Sequence, residues 1–175
     1  HGHCDRCRAR SLCDRRGQRC RHQQPWALRH FERAGERHAG RHTGDYRART
    51  FGPFAATLDG LQRLRAHLKN TTYAVLGNHD TIRMAPGMEA MGYRLLLNEW
   101  VKLQRNGETI YLAGIDDAHY YRMENFHRAA QDIPAGACSI LLSHTPEAYR
   151  HAAHADFNLM LSGHTHGGQI CLPGG

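Results

Sequence analysis

The chain has 175 residues, 41% hydrophobic and 22% charged, with 18 glycines and a formal net charge of +7. That is one domain's length with enough apolar material for a core, and no apolar run approaches the roughly 18 residues of a membrane helix. A collagen-like repeat and a wholly disordered chain are excluded on the same grounds. The first residue is His1 rather than Met, with no signal-type apolar stretch after it, so the sequence reads as a piece of a longer chain.

Charge and cysteine divide the chain in two. Residues 1–42 hold 11 Arg against four acids (Asp5, Asp14, Glu32 and Glu36), 11 − 4 = +7, whereas residues 43–175 hold 12 basic and 12 acidic residues and are neutral. No specific nucleic-acid partner is therefore expected of the longer part. Cys4, Cys7, Cys13 and Cys20 fall in the first segment; Cys138 and Cys171, well separated in the second, read as reduced packed thiols. Residues 1–42 lack Val, Ile, Met and Tyr and show neither a helix nor a strand period. Three readings compete for them. One is a zinc module on Cys4, Cys7, Cys13, Cys20 and His22, and another is a basic nucleic-acid-binding tail. The third is a shifted reading frame of a G+C-rich gene, whose true frame would supply an apolar strand running into Thr43-Gly44-Asp45. The boundary is set at 42/43, and the nucleotide sequence decides among the three.

From Thr43 the elements follow in order. Pro53 to Leu68 predicts an amphipathic helix with Leu58, Leu61, Leu64 and Leu68 on one stripe. Thr71 to Leu76, Tyr93 to Leu97, Trp100 to Gln104 and Thr109 to Ile115 read as strands, the last two joined by the hairpin signal Asn106-Gly107. Met123 to Gln131 predicts a short helix. Cys138 to Leu142 is a fully apolar strand, followed by a helix from Pro146 to about Ala155, a strand over Phe157 to Leu161 and the start of another over Gln169 to Leu172. His67, His127, His151 and His154 lie on predicted helices and read as surface residues.

Four segments carry turns rich in His, Asp or Asn: Thr43-Gly44-Asp45 and, directly after three of these strands, Gly77-Asn78-His79-Asp80, Ser143-His144, and Gly163-His164-Thr165-His166-Gly167-Gly168. In α/β sheets such turns, at the carboxyl ends of strands, converge on one crevice. Imidazole nitrogens with carboxylate or amide oxygens are ligands for Mn, Fe or Zn. A lone Gly-Asp is usually only a turn, and a lone His before Thr-Pro usually only a helix entry. Paired imidazoles between glycines serve no packing purpose, and the four turns together point to a metal site. Asp116, Asp117 and His119, after another strand, are further candidates to approach it.

In this order the motifs resemble those of the calcineurin-like metallophosphoesterase superfamily, and Leu141 to Glu147 (LLSHTPE) and Leu161 to Pro173 (LSGHTHGGQICLP) resemble its bacterial YaeI/YkuE-like branch. The resemblance covers about residues 43–173. It implies an α/β fold, a four-layer α-β-β-α sandwich, here truncated at both ends. It also implies two divalent ions, manganese first, with iron, zinc or magnesium as alternatives, and hydrolysis of a phosphomonoester or phosphodiester by a hydroxide that the two metals activate. By position, Asp45 would bridge the ions, Asn78, His144 and His164 would hold the second, and His166 would bind the first. His79 would face the phosphate and protonate the leaving oxygen, and Asp80 would orient it. The implied partner is a small or lipid-linked phosphoester; related members include membrane-associated and exported proteins, so a membrane surface stays open as a partner. The chain departs from the family in having no Asp-x-His before Asp45, which leaves the first metal with Asp45 and His166. A non-catalytic remnant of the fold and a zinc- or nucleic-acid-binding role of residues 1–42 are the alternatives.

Overall fold

A computed structural model describes residues 40–166. The strand expected over Gln169 to Leu172 and the residues Gly167, Gly168 and Cys171 lie outside the described residues.

Three short strands, β1 (Gly40–His42), β2 (Thr72–Ala74) and β3 (Tyr93–Leu95), form a parallel sheet in that order. Residues 40–42 pair although their sequence shows no strand period, since three residues are too few for alternation to register. Between β1 and β2 runs α1 (Ala55–His67), with Arg65 and His67 in its last turn, where cations meet the negative end of the helix dipole. The expected leucine stripe is only partly used. Leu61 is buried but Leu64 stays 42% exposed, because the helix docks through Leu58, which lies against Gly87, and through Leu61, whose carbonyl accepts from Tyr93 Oη at 3.0 Å. Before β3 come a 3-10 turn, Ile82–Met84, and a short helix, α2 (Ala85–Ala90). Six residues including Pro86 and Gly87 carry no readable period, so this helix was not legible; Met84 and Met88, both fully buried, hold it to the sheet.

The second sheet has the order β4 (Glu99–Arg105), β5 (Glu108–Gly114), β6 (Ser139–Ser143), β7 (Leu159–Ser162). β4 and β5 are antiparallel around Asn106 and Gly107, both at positive φ (50° and 82°), as the Asn-Gly signal requires; β5, β6 and β7 are parallel. Every residue of β6 is buried, the apolar run Ile140 to Leu142 and the serines on either side of it alike, as in a strand covered on both faces. The helix expected over Met123 to Gln131 is confined to α3 (Phe126–Ala130), started by the Asn125 side chain accepting from Arg128 N. The one after Pro146 is a 3-10 turn, Pro146–Ala148, continuing as α4 (Tyr149–His154).

The side chains sort into layers. Leu61, Met84 and Met88 pack with Ala74, Leu76, Tyr93 and Leu95 on the outer face of the first sheet. Ala129, Ala148 and Ala152 pack with Ala113, Ile115 and Leu141 on the outer face of the second. Val75, Leu96, Leu112, Ile140 and Leu142 are buried, and a Cβ on Gly114 would lie 2.6 Å from the Leu96 carbonyl oxygen and 2.7 Å from Val75 Cγ1. The sheets therefore approach face to face, in the expected order α-β-β-α. Each such buried aliphatic chain contributes about 1.5–3 kcal/mol. His67, His127, His151 and His154 are exposed, as read from the sequence. Cys138 is a free, half-buried thiol whose pKa burial pushes up. Among the described residues no helix is long and apolar enough to cross a membrane.

Candidate metal centre

The turns after β1, β2, β6 and β7 meet. Gly44, at φ +91°, lies directly on the backbone of Gly77, and a Cβ on Gly77 would strike the Asp45 amide and carboxylate and come within 2.9 Å of His144 Nδ1. Only glycine allows this approach. Asp45 itself is left-handed at φ 57°, His164 at φ 66° and His166 at φ 50°.

His144 is the hub. Its Nδ1 lies 2.6 Å from the Thr43 carbonyl oxygen; a carbonyl only accepts, so Nδ1 carries a proton and donates it. Its Nε2 is surrounded by Asn78 Oδ1 at 2.9 Å, His164 Nδ1 at 3.1 Å and Asp45 Oδ2 at 3.2 Å. One nitrogen can donate to at most one of these three. The remaining lone pairs face each other, which is costly in a half-buried cleft unless a cation lies among them. Ligand atoms bound to one ion at about 2.0–2.2 Å stand roughly 3–3.5 Å apart, so this donor set fits a divalent metal. Asp45, His144 and His164 indeed offer ligand atoms all within 4.8 Å of one another.

The electrostatics agree from both sides of the pair. Burial would lower the His144 pKa, but the Asp45 carboxylate and the Thr43 carbonyl outweigh it and hold the imidazole above its usual range. Burial would raise Asp45, but His144 and the His79 N–H, which donates to Asp45 Oδ1 at 2.9 Å, bring it below.

His79 and Asp80 divide their work differently from the implied pairing. His79 Nδ1 meets Thr50 Oγ1 at 2.7 Å. Asp80, 1% exposed, faces backbone: Oδ1 accepts from Tyr46 N at 2.9 Å and Arg47 N at 3.1 Å, and Oδ2 from Gly77 N at 2.9 Å. It thereby clamps the turn carrying Asp45 to the turn carrying Asn78. The ring-orienting contact falls to Thr50, and the Thr50 segment is held by buried Arg47, whose guanidinium donates to the carbonyls of Thr50 and Gly52 at 2.8 Å and of His79 at 3.3 Å.

Asp45, Asn78, His144 and His164 are thus together. His166 is exposed and lies outside the ligand groups found among the described residues. Of the further candidates, His119 comes close, its ring centroid 4.9 Å from that of His164. Asp117 is buried and acts on backbone, accepting from His119, Tyr120 and Tyr121 N at 3.2, 2.7 and 2.6 Å. Thr43, Arg47 and Thr50 were missed. Thr43 acts through a carbonyl, which leaves no trace in a sequence, and an isolated Arg or Thr in a turn carries no signal by type.

Comparison with known proteins points to one family. A model of the family described as calcineurin-like phosphoesterase matches residues 20–168. The chain is 33% identical over 123 residues to "Uncharacterized protein YpbG" of Bacillus subtilis (strain 168), covering 67% of this chain and 47% of that protein. It is 32% identical over 140 residues to "Uncharacterized metallophosphoesterase YkoQ" (75% and 50%) and 34% identical over 105 residues to "Uncharacterized metallophosphoesterase YkuE" (57% and 36%), both of the same organism. The chain thus spans half or less of the length of these relatives.

Proposed function

The chain belongs to the calcineurin-like phosphoesterase family, and from that premise we propose that it hydrolyses phosphoester bonds with divalent metal held at the ends of β1, β2, β6 and β7. The observation that carries the reading is the crowding of His144 Nε2 by three lone-pair-bearing atoms within 3.2 Å. Asp45, Asn78, His144 and His164 would hold one ion, and Asp45 with His166 a second, manganese being the first choice for both. Such ions, when bound, supply Lewis acidity to the phosphoryl oxygens and lower the pKa of water. The residues do the rest. Thr43 keeps His144 in the tautomer that presents Nε2 as a ligand. With Nδ1 engaged by Thr50, His79 has Nε2 left to give a proton to the leaving oxygen, a contribution of typically 10²–10⁴-fold.

With no Asp-x-His before Asp45, the four-ligand position would fill first, and the two-ligand position only at higher metal concentration. The substrate would be a small or lipid-linked phosphomonoester or phosphodiester. The test is hydrolysis of chromogenic mono- and diesters with added Mn²⁺ by the full chain, by Asp45→Ala and by His164→Ala. Loss of turnover in both variants is expected, and equal rates in all three would remove the proposal. The rival role of residues 1–42 predicts salt-dependent nucleic-acid binding unaffected by His164→Ala.

A further inference from the structure

A second group of donors stands beside the first. His119 from the turn after β5, Glu147 from the 3-10 turn after β6 and His164 after β7 each offer one ligand atom, and these atoms all lie within 4.8 Å of one another. His119 and Glu147 are exposed and His164 half-buried, so the group lies outward of the buried His144.

The backbone under these side chains is built rather than loose. Beneath His119, the Asp117 carboxylate takes three successive N–H groups, and Met123 N donates to the Asp117 carbonyl at 3.0 Å. Asn98 fastens the far side of the same loop: Nδ2 donates to the Met123 carbonyl at 2.8 Å, while Oδ1 accepts from Asn125 N at 2.7 Å and Asp116 N at 3.3 Å. Glu147 follows Pro146 in the 3-10 turn, anchored by buried Thr145 and Ala148 on either side. His164 is fixed through Gly163, whose N donates to the His144 carbonyl at 3.0 Å.

We propose that His119, Glu147 and His164 form an outer cation site for a borderline divalent ion such as Zn²⁺. Two imidazoles and one carboxylate are zinc donors and poor donors for Mg²⁺ or Ca²⁺, which take oxygen. Three protein ligands leave a coordination position open to water. Donor atoms up to 4.8 Å apart close on a common ion through rotation of the exposed His119 and Glu147 side chains.

His164 belongs to both groups, and a neutral imidazole has one lone pair. An outer ion therefore draws His164 away from the inner donors, so excess zinc opposes inner occupancy. That competition rests on the phosphoesterase reading; the outer site itself does not.

The experiment measures Zn²⁺ bound per chain, by calorimetric titration and by metal analysis, on full-length wild type, Asp45→Asn, and Asp45→Asn combined with His119→Ala or Glu147→Gln. Asp45→Asn weakens the inner group and leaves His164 to the outer one. Residues 1–42 are common to all variants, so zinc held by their cysteines cancels. The double variants are expected to bind one zinc fewer than Asp45→Asn, or to bind it at least about tenfold more weakly. Zinc binding within less than that margin in both doubles overturns the outer site. Equal zinc and Mn²⁺ binding by wild type and Asp45→Asn would instead count against the inner reading, without touching the outer comparison. Both substituted side chains, His119 and Glu147, are exposed, and unchanged far-ultraviolet dichroism checks that the variants fold.

Discussion

Asp80→Asn tests how the site is held in place. The carboxylate is 1% exposed and accepts three backbone N–H groups at 2.9–3.1 Å. An amide of the same shape can keep its oxygen towards Tyr46 and Arg47, but then turns its NH₂ to the N–H of Gly77. Two donors face each other, and the Gly77 N–H is buried without an acceptor, at a cost of about 1–3 kcal/mol. The two surviving bonds also lose their charge assistance. Burial already pushes the Asp80 carboxyl above its usual range despite those N–H groups, so that loss is small, and the total stays at about 1–3 kcal/mol. At roughly 2–4 °C per kcal/mol for a chain of this size, the melting temperature should fall by about 2–12 °C. Scanning calorimetry in chelator measures it, and hydrogen exchange should quicken at the amides of Tyr46, Arg47 and Gly77. A melting temperature within about 2 °C of wild type, with exchange unchanged, would refute the clamp.

Three further outcomes follow from the geometry. Gly77→Ala should abolish tight metal binding, measured by calorimetric titration, because the new methyl occupies space held by Asp45 and approaches His144 Nδ1; retention of wild-type affinity would contradict the packing. Thr50→Val should lower kcat for phosphoester hydrolysis by about tenfold while leaving metal affinity unchanged, since it removes the partner of His79 Nδ1 without touching a ligand. The metal-free protein should respond to pH through the His144–Asp45 pair. The His144 pKa is raised in the fold, so its stabilisation is full below its ordinary 6.5 and is lost as pH rises through the folded value. The Asp45 pKa is depressed, so its share is present above 3.8 and is lost as pH falls through the folded value. Stability relative to Asp45→Asn should therefore be greatest between these two limits, while metal affinity rises with pH as the His144 proton leaves; a flat difference across that range would count against the pair.

What the sequence disclosed, and what it withheld, follows from how each feature is encoded. Asn106-Gly107 announced its hairpin because both residues must take positive φ. The apolar run Ile140 to Leu142 announced the strand that became β6. Asn78, His144 and His164 were legible because polar residues follow apolar strands directly, with glycines around them. By contrast, α2 escaped because six residues cannot show a 3.6-residue period, and β1 because three cannot show alternation. Leu64 shows that a stripe records which residues could be buried, not which are. The supports of the site were hidden for another reason: Thr43 acts through its carbonyl, while Asp80 and Asp117 act on backbone N–H groups contributed by whatever residues sit opposite.

Asp45 and Asn78 arrive from the first sheet, His144 and His164 from the second, and their separation depends on the close seating of one sheet upon the other at Gly114 as well as on the bond from His144 to the Thr43 carbonyl. An ion bound among them would act as a rivet through the sandwich. It could be released only by parting the layers or by sacrificing a ligand, so occupancy at a hundred times its dissociation constant would add about 2.7 kcal/mol of cohesion. Any larger residue at position 114 would wedge the layers apart and be felt first as leakage of metal, well before the protein unfolds.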